Sequence, residues 1–172
     1  ARAMATGFSI GTKGYIGLGR NGGYPLDLWE YDPSSNTWTQ RASNPTTGGG
    51  MRGPVSFVIN GKAYVGVTYL SVNELWEYSP PPSDTWRRMA DFPVSASLYN
   101  CFSAAFAIGN KGYVGTGSNN NVNTFYSHFY EFDPANGSTG AWTQKANYGG
   151  GARTQAVGFA LNGKGYIGTG YS

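Results

Sequence analysis

The chain has 172 residues, of which only 12% are charged, and twelve Lys and Arg against nine Asp and Glu give it a net charge of +3. This balance is mildly basic without a clustered basic stripe, so we expect no nucleic-acid partner. The single cysteine, Cys101, excludes an internal disulfide framework, and with one histidine, His128, the chain cannot assemble a His/Cys zinc or copper site. We therefore expect no metal and no cofactor. The lack of a long apolar run predicts no membrane insertion by this segment.

The first predicted elements are four short apolar strands, which we call a. They are predicted at 5–10, 55–59, 103–108 and 156–161. Asn60-Gly61 and Asn162-Gly163 follow two of them. Asn-Gly between two apolar runs favours a type I′ hairpin turn, because both turn residues need a positive φ.

Each turn leads into a second strand, b, that carries the phrase Lys-x-Tyr-x-Gly. Its tyrosines are Tyr15, Tyr64, Tyr113 and Tyr166, at steps of 49, 49 and 53 residues. An internal period of this size indicates a propeller or a solenoid.

Two further strands follow the first three copies of strand b. The third strands, c, are rich in Trp, Tyr and Phe, and the fourth, d, surround a tryptophan. They are predicted at 27–33, 74–80 and 128–134 for c, and at 36–40, 84–88 and 141–145 for d. Each complete unit therefore predicts a four-stranded antiparallel meander, and no stretch predicts a helix.

These residues resemble the kelch repeat, in the Gly-rich end of strand b, the aromatic residue before Asp-Pro in strand c and the Asn-Thr-Trp of strand d. The resemblance covers essentially the whole chain and implies an all-β fold, a β-propeller of kelch-type four-stranded antiparallel blades. We expect about three and a half blades in one segment, a partial propeller. The blades are expected at 1–42, 52–90 and 100–146, with half a blade at 152–172. The particular sequence of these repeats is similar to that of kelch-repeat proteins of the bacterial cell surface, many of which are secreted. This resemblance implies an extracellular or cell-envelope localisation.

The two ends of the chain match each other. Residues 1–19 are identical to residues 152–170 at eleven of nineteen positions, so the sequence opens on strands a and b and returns to them. A propeller needs about four blades to close. We therefore expect a piece of a longer array, whose remaining blades are one possible partner. The alternative is that two copies combine into a ring of about seven blades.

Candidate ligand-binding residues follow from this topology. The b-to-c and d-to-a connections emerge at one end of the blades, are long and vary, and function on repeat scaffolds usually lies in such loops. Four polar residues stand just before strand a, near the mouth of the central channel: Arg2, Arg52, Asn100 and Arg153. Convergent arginines there could hold a carboxylate, or they could tie the loops to carbonyl groups of a neighbouring blade. Aromatic residues on the same loops that could stack on sugar rings or anchor a protein are Tyr24, Tyr69, Tyr99 and Phe125.

Two functions are compatible with these residues. The first is a non-catalytic binding or scaffold module that recognises a protein or glycan through the loops. The alternative, implied by the resemblance, is a sugar-processing enzyme of the mutarotase or epimerase type. The end of the blades that carries the long connections offers few carboxylates that could act as a general base, namely Asp27, Glu74 and Asp91. The first two of these are expected to begin strand c. The sequence therefore favours binding, and we assign no catalytic residue.

Overall fold

A computed structural model describes residues 1–68, 73–94, 101–119 and 123–172. The described residues form strands and no helix, as the Tyr-, Trp- and Val-rich runs predict. Blade 1 comprises β1 (Thr6–Ile10), β2 (Lys13–Gly17), β3 (Leu28–Asp32) and β4 (Thr37–Arg41). Blade 2 comprises β5 (Val55–Ile59), β6 (Lys62–Gly66), β7 (Leu75–Ser79) and β8 (Thr85–Arg88). Blade 3 comprises β9 (Ala104–Ile108), β10 (Lys111–Gly115), β11 (Phe129–Asp133) and β12 (Ala141–Lys145), and half-blade 4 comprises β13 (Val157–Leu161) and β14 (Lys164–Gly168).

Each blade is an antiparallel meander in which the strands pair in chain order. The predicted fold class is therefore confirmed, with three four-stranded sheets and one strand pair among the described residues. The expected type I′ geometry is present as well, since Asn60 and Gly61 have φ of 50° and 74°. Asp27 and Glu74 were expected to begin strand c, but β3 and β7 begin one residue later. No helix in the described part of the chain is long and apolar enough to cross a membrane.

The same cross-strand row recurs in every blade. In blade 1, Phe8 of β1 faces Tyr15 of β2, and Tyr15 faces Glu30 of β3. The Phe and Tyr rings stack at 5.1 Å, and equivalent stacks follow at 5.4, 5.6 and 5.1 Å in the other sheets. Such aromatic cross-strand pairs fix the register of neighbouring strands.

The blades pack face to face. We call the face that bears the Phe–Tyr stack the trailing face, because it packs against the next blade, and the opposite face the leading face. Tyr15 of blade 1 contacts Tyr78 of blade 2 at 5.9 Å, and Tyr64 of blade 2 contacts Phe132 of blade 3 at 5.6 Å. These contacts belong to the two apolar clusters that form the core, one at each interface.

A tryptophan of strand d closes each of these interfaces at its outer side. The indole Nε1 of Trp86 donates to the carbonyl oxygen of Ala42 in blade 1 at 2.8 Å. In the same way, Trp142 donates to the carbonyl oxygen of Ala90 in blade 2 at 2.9 Å. Blades 2 and 3 are thus each attached to the blade before them by a buried apolar face and an oriented hydrogen bond.

Two faces lie outside this stack. On the leading face of blade 1, Ile16 and Trp38 are 45% and 50% exposed. On the trailing face of half-blade 4, Val157, Phe159 and Leu161 are all more than half exposed. Both faces carry the residue types that are buried at the internal interfaces.

Candidate functional site

The first strands of the four sheets, β1, β5, β9 and β13, lie side by side and form the inner wall of the propeller. Two residues before each of them stands a residue with positive φ, between 55° and 63°. These residues are Met4, Gly53, Phe102 and Gln155. The Gly53 amide donates to the Met4 carbonyl at 2.9 Å, and the Gln155 amide donates to the Phe102 carbonyl at 3.0 Å. The chain thereby forms a rim at the end where the d-to-a connections arrive, which we call the channel rim.

Arg52 lies on the channel rim. Its Nε contacts the Met4 Sδ at 3.0 Å, and its guanidinium lies 5.8 Å from the centre of the Phe102 ring. The cation therefore spans from a residue of blade 1 to one of blade 3. Thr68 donates its hydroxyl to the Arg52 carbonyl, which fixes the backbone at this point.

Arg2 and Arg153 occupy a different register from Arg52. Both stand four residues before their first strand, whereas Arg52 stands three residues before β5, so the expected equivalence of the three arginines is wrong for Arg52. Arg2 donates from Nη1 to the Leu18 carbonyl at 3.0 Å, and Arg153 donates from Nη1 to the Thr169 carbonyl at 2.8 Å. In the structure, these two arginines therefore hold the backbone that follows strand b by a hydrogen bond to its carbonyl group.

Each of these two arginines makes further contacts within its own blade or loop. Arg2 also donates to both carboxylate oxygens of Asp27, at 2.9 and 2.6 Å. Arg153 donates to the Gly150 carbonyl and lies 5.1 Å from the centre of the Tyr148 ring.

The two aromatic candidates within the described residues contact different parts of the chain. Tyr24 is half-buried and packs against Gly50, where a Cβ atom would lie 2.2 Å from the Tyr24 Cβ. Phe125 makes an edge-to-face contact with Tyr171 at 5.4 Å, between the blade 3 loop and half-blade 4. The other three candidates, Tyr69, Tyr99 and Asn100, lie outside the described residues.

The position just before strand c is occupied by Asp27 in blade 1, Glu74 in blade 2 and His128 in blade 3. Both carboxylates accept a hydrogen bond from the indole two residues further on, at 2.6 Å for Asp27 and 2.9 Å for Glu74. The hydrogen bond and charge of Arg2 hold the pKa of Asp27 below its ordinary value. Glu74 also accepts hydrogen bonds from the Thr46 hydroxyl at 2.6 Å and from Arg88 at 2.9 Å.

His128 lies in an aromatic pocket instead. Its ring stacks on Tyr126 at 4.9 Å and lies 5.9 Å from Phe92 of the blade 2 loop. Its Nε2 is buried, with no hydrogen-bond partner among the described residues. Burial lowers the pKa of His128 to about 4, so the ring is neutral near pH 7. His128 therefore packs against the d-to-a loop of the neighbouring blade.

The chemistry available at this end of the described chain follows from these contacts. Asp91, the third candidate base, is ion-paired with Arg88 at 2.6 Å, so each of the three expected carboxylates already has a cationic partner. No group of three His, Cys, Asp or Glu that could hold a metal occurs among the described residues. The described residues at this end therefore place the Arg52 cation at the channel rim, and the three expected carboxylates form no acid–base pair with each other.

Four-stranded antiparallel sheets arranged face to face around an inner wall define a β-propeller, of which this chain forms a part. Its sequence is 32% identical over 143 residues to the N-acetylneuraminate epimerases of Haemophilus influenzae strains PittEE and 86-028NP. The match covers 77% of this chain and 35% of each relative, so the chain spans about a third of the length of the curated relatives it matches. The structure titled "Structure of YjhT" is similar in fold, with a TM-score of 0.78 and 20% identity over 98% of this chain and 59% of that one. No family model matches the sequence.

Proposed function

We propose that the chain is part of a kelch-type propeller that binds a sugar acid of the N-acetylneuraminate type at the channel rim, within a polypeptide that epimerises this sugar. The observation that carries the proposal is the 32% identity to two N-acetylneuraminate epimerases over 77% of the chain. It favours the enzyme alternative over a module that only binds.

The location of Arg52 supports the binding half of this proposal. N-acetylneuraminate carries a carboxylate, and a guanidinium offers two parallel donors that match it. Arg52 is the arginine on the channel rim, where its side chain contacts a thioether and a ring face.

Epimerisation by acid–base catalysis needs one group that removes a proton and one that returns a proton. His128 is half-buried and neutral, and Asp27 and Glu74 are held by indole and guanidinium donors. We therefore assign carboxylate binding to this span and no proton-transfer role to these three residues.

A second candidate is a non-catalytic module of a secreted or cell-surface protein that binds a protein or glycan. The pairing of the three expected carboxylates with Arg2 and Arg88 favours it, because none of the three is left as a general base. An extracellular or cell-envelope location goes with either candidate.

Titration of the chain with N-acetylneuraminate, followed by NMR, tests the proposal. We expect resonances of the channel rim to shift, and Arg52→Ala to weaken binding by about 10-fold or more, as expected for a lost charge-assisted hydrogen bond. Arg20→Ala is the matched control, because Arg20 is exposed in a neighbouring loop and its substitution removes the same charge. Equal shifts with N-acetylmannosamine, which has no carboxylate, would contradict the role of Arg52.

NMR of the full-length polypeptide with N-acetylneuraminate separates the two candidates. Interconversion of the N-acetylneuraminate epimers accelerated by the full-length polypeptide supports the enzyme. Binding by both this chain and the full-length polypeptide, with no acceleration by either, supports the non-catalytic module.

A further inference from the structure

The three methionines of the chain differ in exposure, and the structure describes all three. Met4 on the channel rim is 40% exposed, whereas Met51 and Met89 are buried at 0% and 2%. The remaining sulfur atom belongs to Cys101, which is 1% exposed, and burial raises the pKa of its thiol to about 11. Oxidation of sulfur side chains follows their exposure and, for cysteine, their thiolate character. The Met4 sulfur is therefore the one that a dissolved oxidant reaches first.

The backbone around Met4 is held on both sides. Met4 has a φ of 55°, and its carbonyl accepts the Gly53 amide at 2.9 Å. The residue before it, Ala3, pairs with Arg20 through backbone hydrogen bonds of 2.8 Å in both directions. A residue other than glycine keeps a positive φ only where the surrounding contacts hold it there. The fold therefore fixes the point from which the Met4 side chain extends over the rim.

The Met4 sulfur contacts a cation. The Nε–H of Arg52 donates to the Met4 Sδ at 3.0 Å. A thioether is a weak acceptor, whereas a sulfoxide carries a polar oxygen on the same sulfur. That oxygen stands one bond from an atom that the guanidinium already contacts, and a hydrogen bond to a charged donor is stronger than one between neutral groups. Oxidation of Met4 would therefore give Arg52 a better acceptor at the place where its side chain already lies.

The channel rim accommodates an oxygen-bearing side chain at this position. The equivalent of Met4 before β13 is Gln155, with a φ of 56°. Its amide donates to the carbonyl of the preceding rim residue, Phe102, as the Gly53 amide does to that of Met4. A glutamine bears an oxygen on its δ atom, as a methionine sulfoxide does. Glutamine is therefore a stable stand-in for oxidised Met4 that the repeat itself uses.

We propose that Met4 is an oxidation site whose sulfoxide oxygen accepts a hydrogen bond from Arg52, so that peroxide weakens carboxylate binding at the channel rim. In the reaction, the O–O bond of hydrogen peroxide breaks, one oxygen atom bonds to the sulfur through a sulfur lone pair, and water leaves. The sulfur is oxidised and the peroxide is reduced. The effect on binding rests on the proposed function, because the ligand that competes for Arg52 is the carboxylate of N-acetylneuraminate.

Peptide mapping by mass spectrometry, after limited treatment of the folded chain with hydrogen peroxide, tests the site. We expect Met4 to gain an oxygen atom ~10-fold or more faster than Met51 and Met89, which the fold shields from the oxidant. The urea-unfolded chain is the control, and its three methionines are expected to react at similar rates. Equal rates in the folded chain overturn the assignment of Met4.

NMR of the Arg52 Nε–H group tests the new hydrogen bond without any ligand. We expect oxidation to move this proton resonance downfield and to slow its exchange with water, because an oxygen acceptor replaces a thioether. Met4→Gln is expected to have the same effect without peroxide, whereas in Met4→Leu the resonance is expected not to respond to peroxide. An Arg52 resonance that stays in place when Met4 is oxidised overturns the proposal.

Titration with N-acetylneuraminate measures the consequence for binding. We expect oxidation to raise the dissociation constant about 5-fold, as for one hydrogen bond that the ligand has to displace, and Met4→Gln to bind as weakly as the oxidised chain. Met89→Leu, which replaces a buried methionine, is the matched control and is expected to keep the sensitivity to peroxide.

The outcomes separate this proposal from the proposed function. A parent chain that binds the sugar acid equally well before and after oxidation overturns the effect of the sulfoxide on binding. A Met4→Leu variant whose affinity still falls on treatment with peroxide places the sensitive residue elsewhere and overturns the role of Met4. A parent chain that does not bind the sugar acid overturns the proposed function, and the Arg52 resonance still decides whether the sulfoxide contact forms.

Discussion

Glu77 is a buried carboxylate that the fold tolerates because donors surround it. Its side chain is only 4% exposed, and it accepts hydrogen bonds from Lys62 at 2.9 Å, Tyr64 at 2.7 Å and Arg87 at 3.1 Å. Burial alone raises the pKa of such a group, but these three donors hold the pKa of Glu77 below its ordinary value. Glu30 and Glu131 have the same tyrosine partner in their own blades. The glutamate at the centre of strand c is therefore part of the blade interior.

Tyr64→Phe tests this pairing. We expect the substitution to lower the free energy of unfolding by about 1–2 kcal/mol, since it removes one donor from a buried carboxylate. Tyr166→Phe is the matched control, because the Tyr166 hydroxyl meets no acceptor among the described residues, and it is expected to be close to neutral. Urea denaturation monitored by tryptophan fluorescence measures both. Equal losses in the two variants would contradict the assigned role of the Glu77 contact.

His128 predicts an acid sensitivity. Burial lowers its pKa in the folded chain from 6.5 to about 4, so the unfolded chain binds a proton first as the pH falls. The stability that depends on the neutral ring is complete above pH 6.5. It is lost progressively down to about pH 4, by up to ~3 kcal/mol. Glu30, Glu77 and Glu131, whose pKa values are lowered, begin to add their loss as the pH falls through 4.5, the value in the unfolded chain, and this loss continues at lower pH.

His128→Gln checks the origin of this sensitivity. We expect the variant to show a flatter dependence of unfolding free energy on pH between 6.5 and 4.5 than the parent chain does. NMR titration of the single histidine gives its pKa directly. A titration near 6.5 in the folded protein would show that the ring is solvated and that the loss has another cause.

At the scale of the strand, the tryptophan of strand d is a connector between blades. Trp142→Phe keeps most of the aromatic surface and removes the N–H that donates to the Ala90 carbonyl. We expect a loss of about 1 kcal/mol in unfolding free energy, because a partly buried carbonyl is left without its donor. Trp38→Phe is the control, since Trp38 is 50% exposed and lies on the unpaired leading face of blade 1. A loss at Trp38 as large as that at Trp142 would refute the connector role.

The strands and their turns were predictable from the sequence because their signals are local. Runs of aromatic and β-branched residues and turns such as Asn60-Gly61 act within one repeat, and the period of about fifty residues is read directly along the chain. The offset of Arg52 is present in the sequence too, because Arg52 lies 12 residues before Tyr64 whereas Arg2 and Arg153 lie 13 residues before Tyr15 and Tyr166. The buried role of Glu77 was missed because a charged residue in a strand ordinarily faces solvent, and its partners come from two other strands. The aromatic surroundings of His128 depend on a neighbouring blade's loop, which no local pattern reveals.

At the scale of the whole molecule, stability is distributed among neighbouring blades rather than held in one centre. Blade 2 has a neighbour on both faces, whereas half-blade 4 packs on one side alone and exposes Val157, Phe159 and Leu161. Repeat proteins of this kind open locally where a unit has fewer neighbours. The order of opening should therefore follow the number of covered faces.

Hydrogen exchange measured strand by strand tests this gradient. We expect the amides of β13 and β14 to exchange fastest among the paired strands and those of β5 and β6 slowest, with a difference of ~100-fold or more. Uniform protection across all four sheets would indicate a single cooperative unit and would contradict the distributed core.

The unlike character of the two end faces has a consequence for assembly. Trp38 and Ile16 mark one terminal surface, and Phe159 and Leu161 mark the other, so the unit carries a head and a tail that differ in kind. Head-to-tail association builds a ring where the rotation per step closes and an open fibre where it does not. A blade interface that repeats faithfully enough to close a circle is therefore also the chemical basis of a linear polymer, and the angle between blades decides which of the two forms.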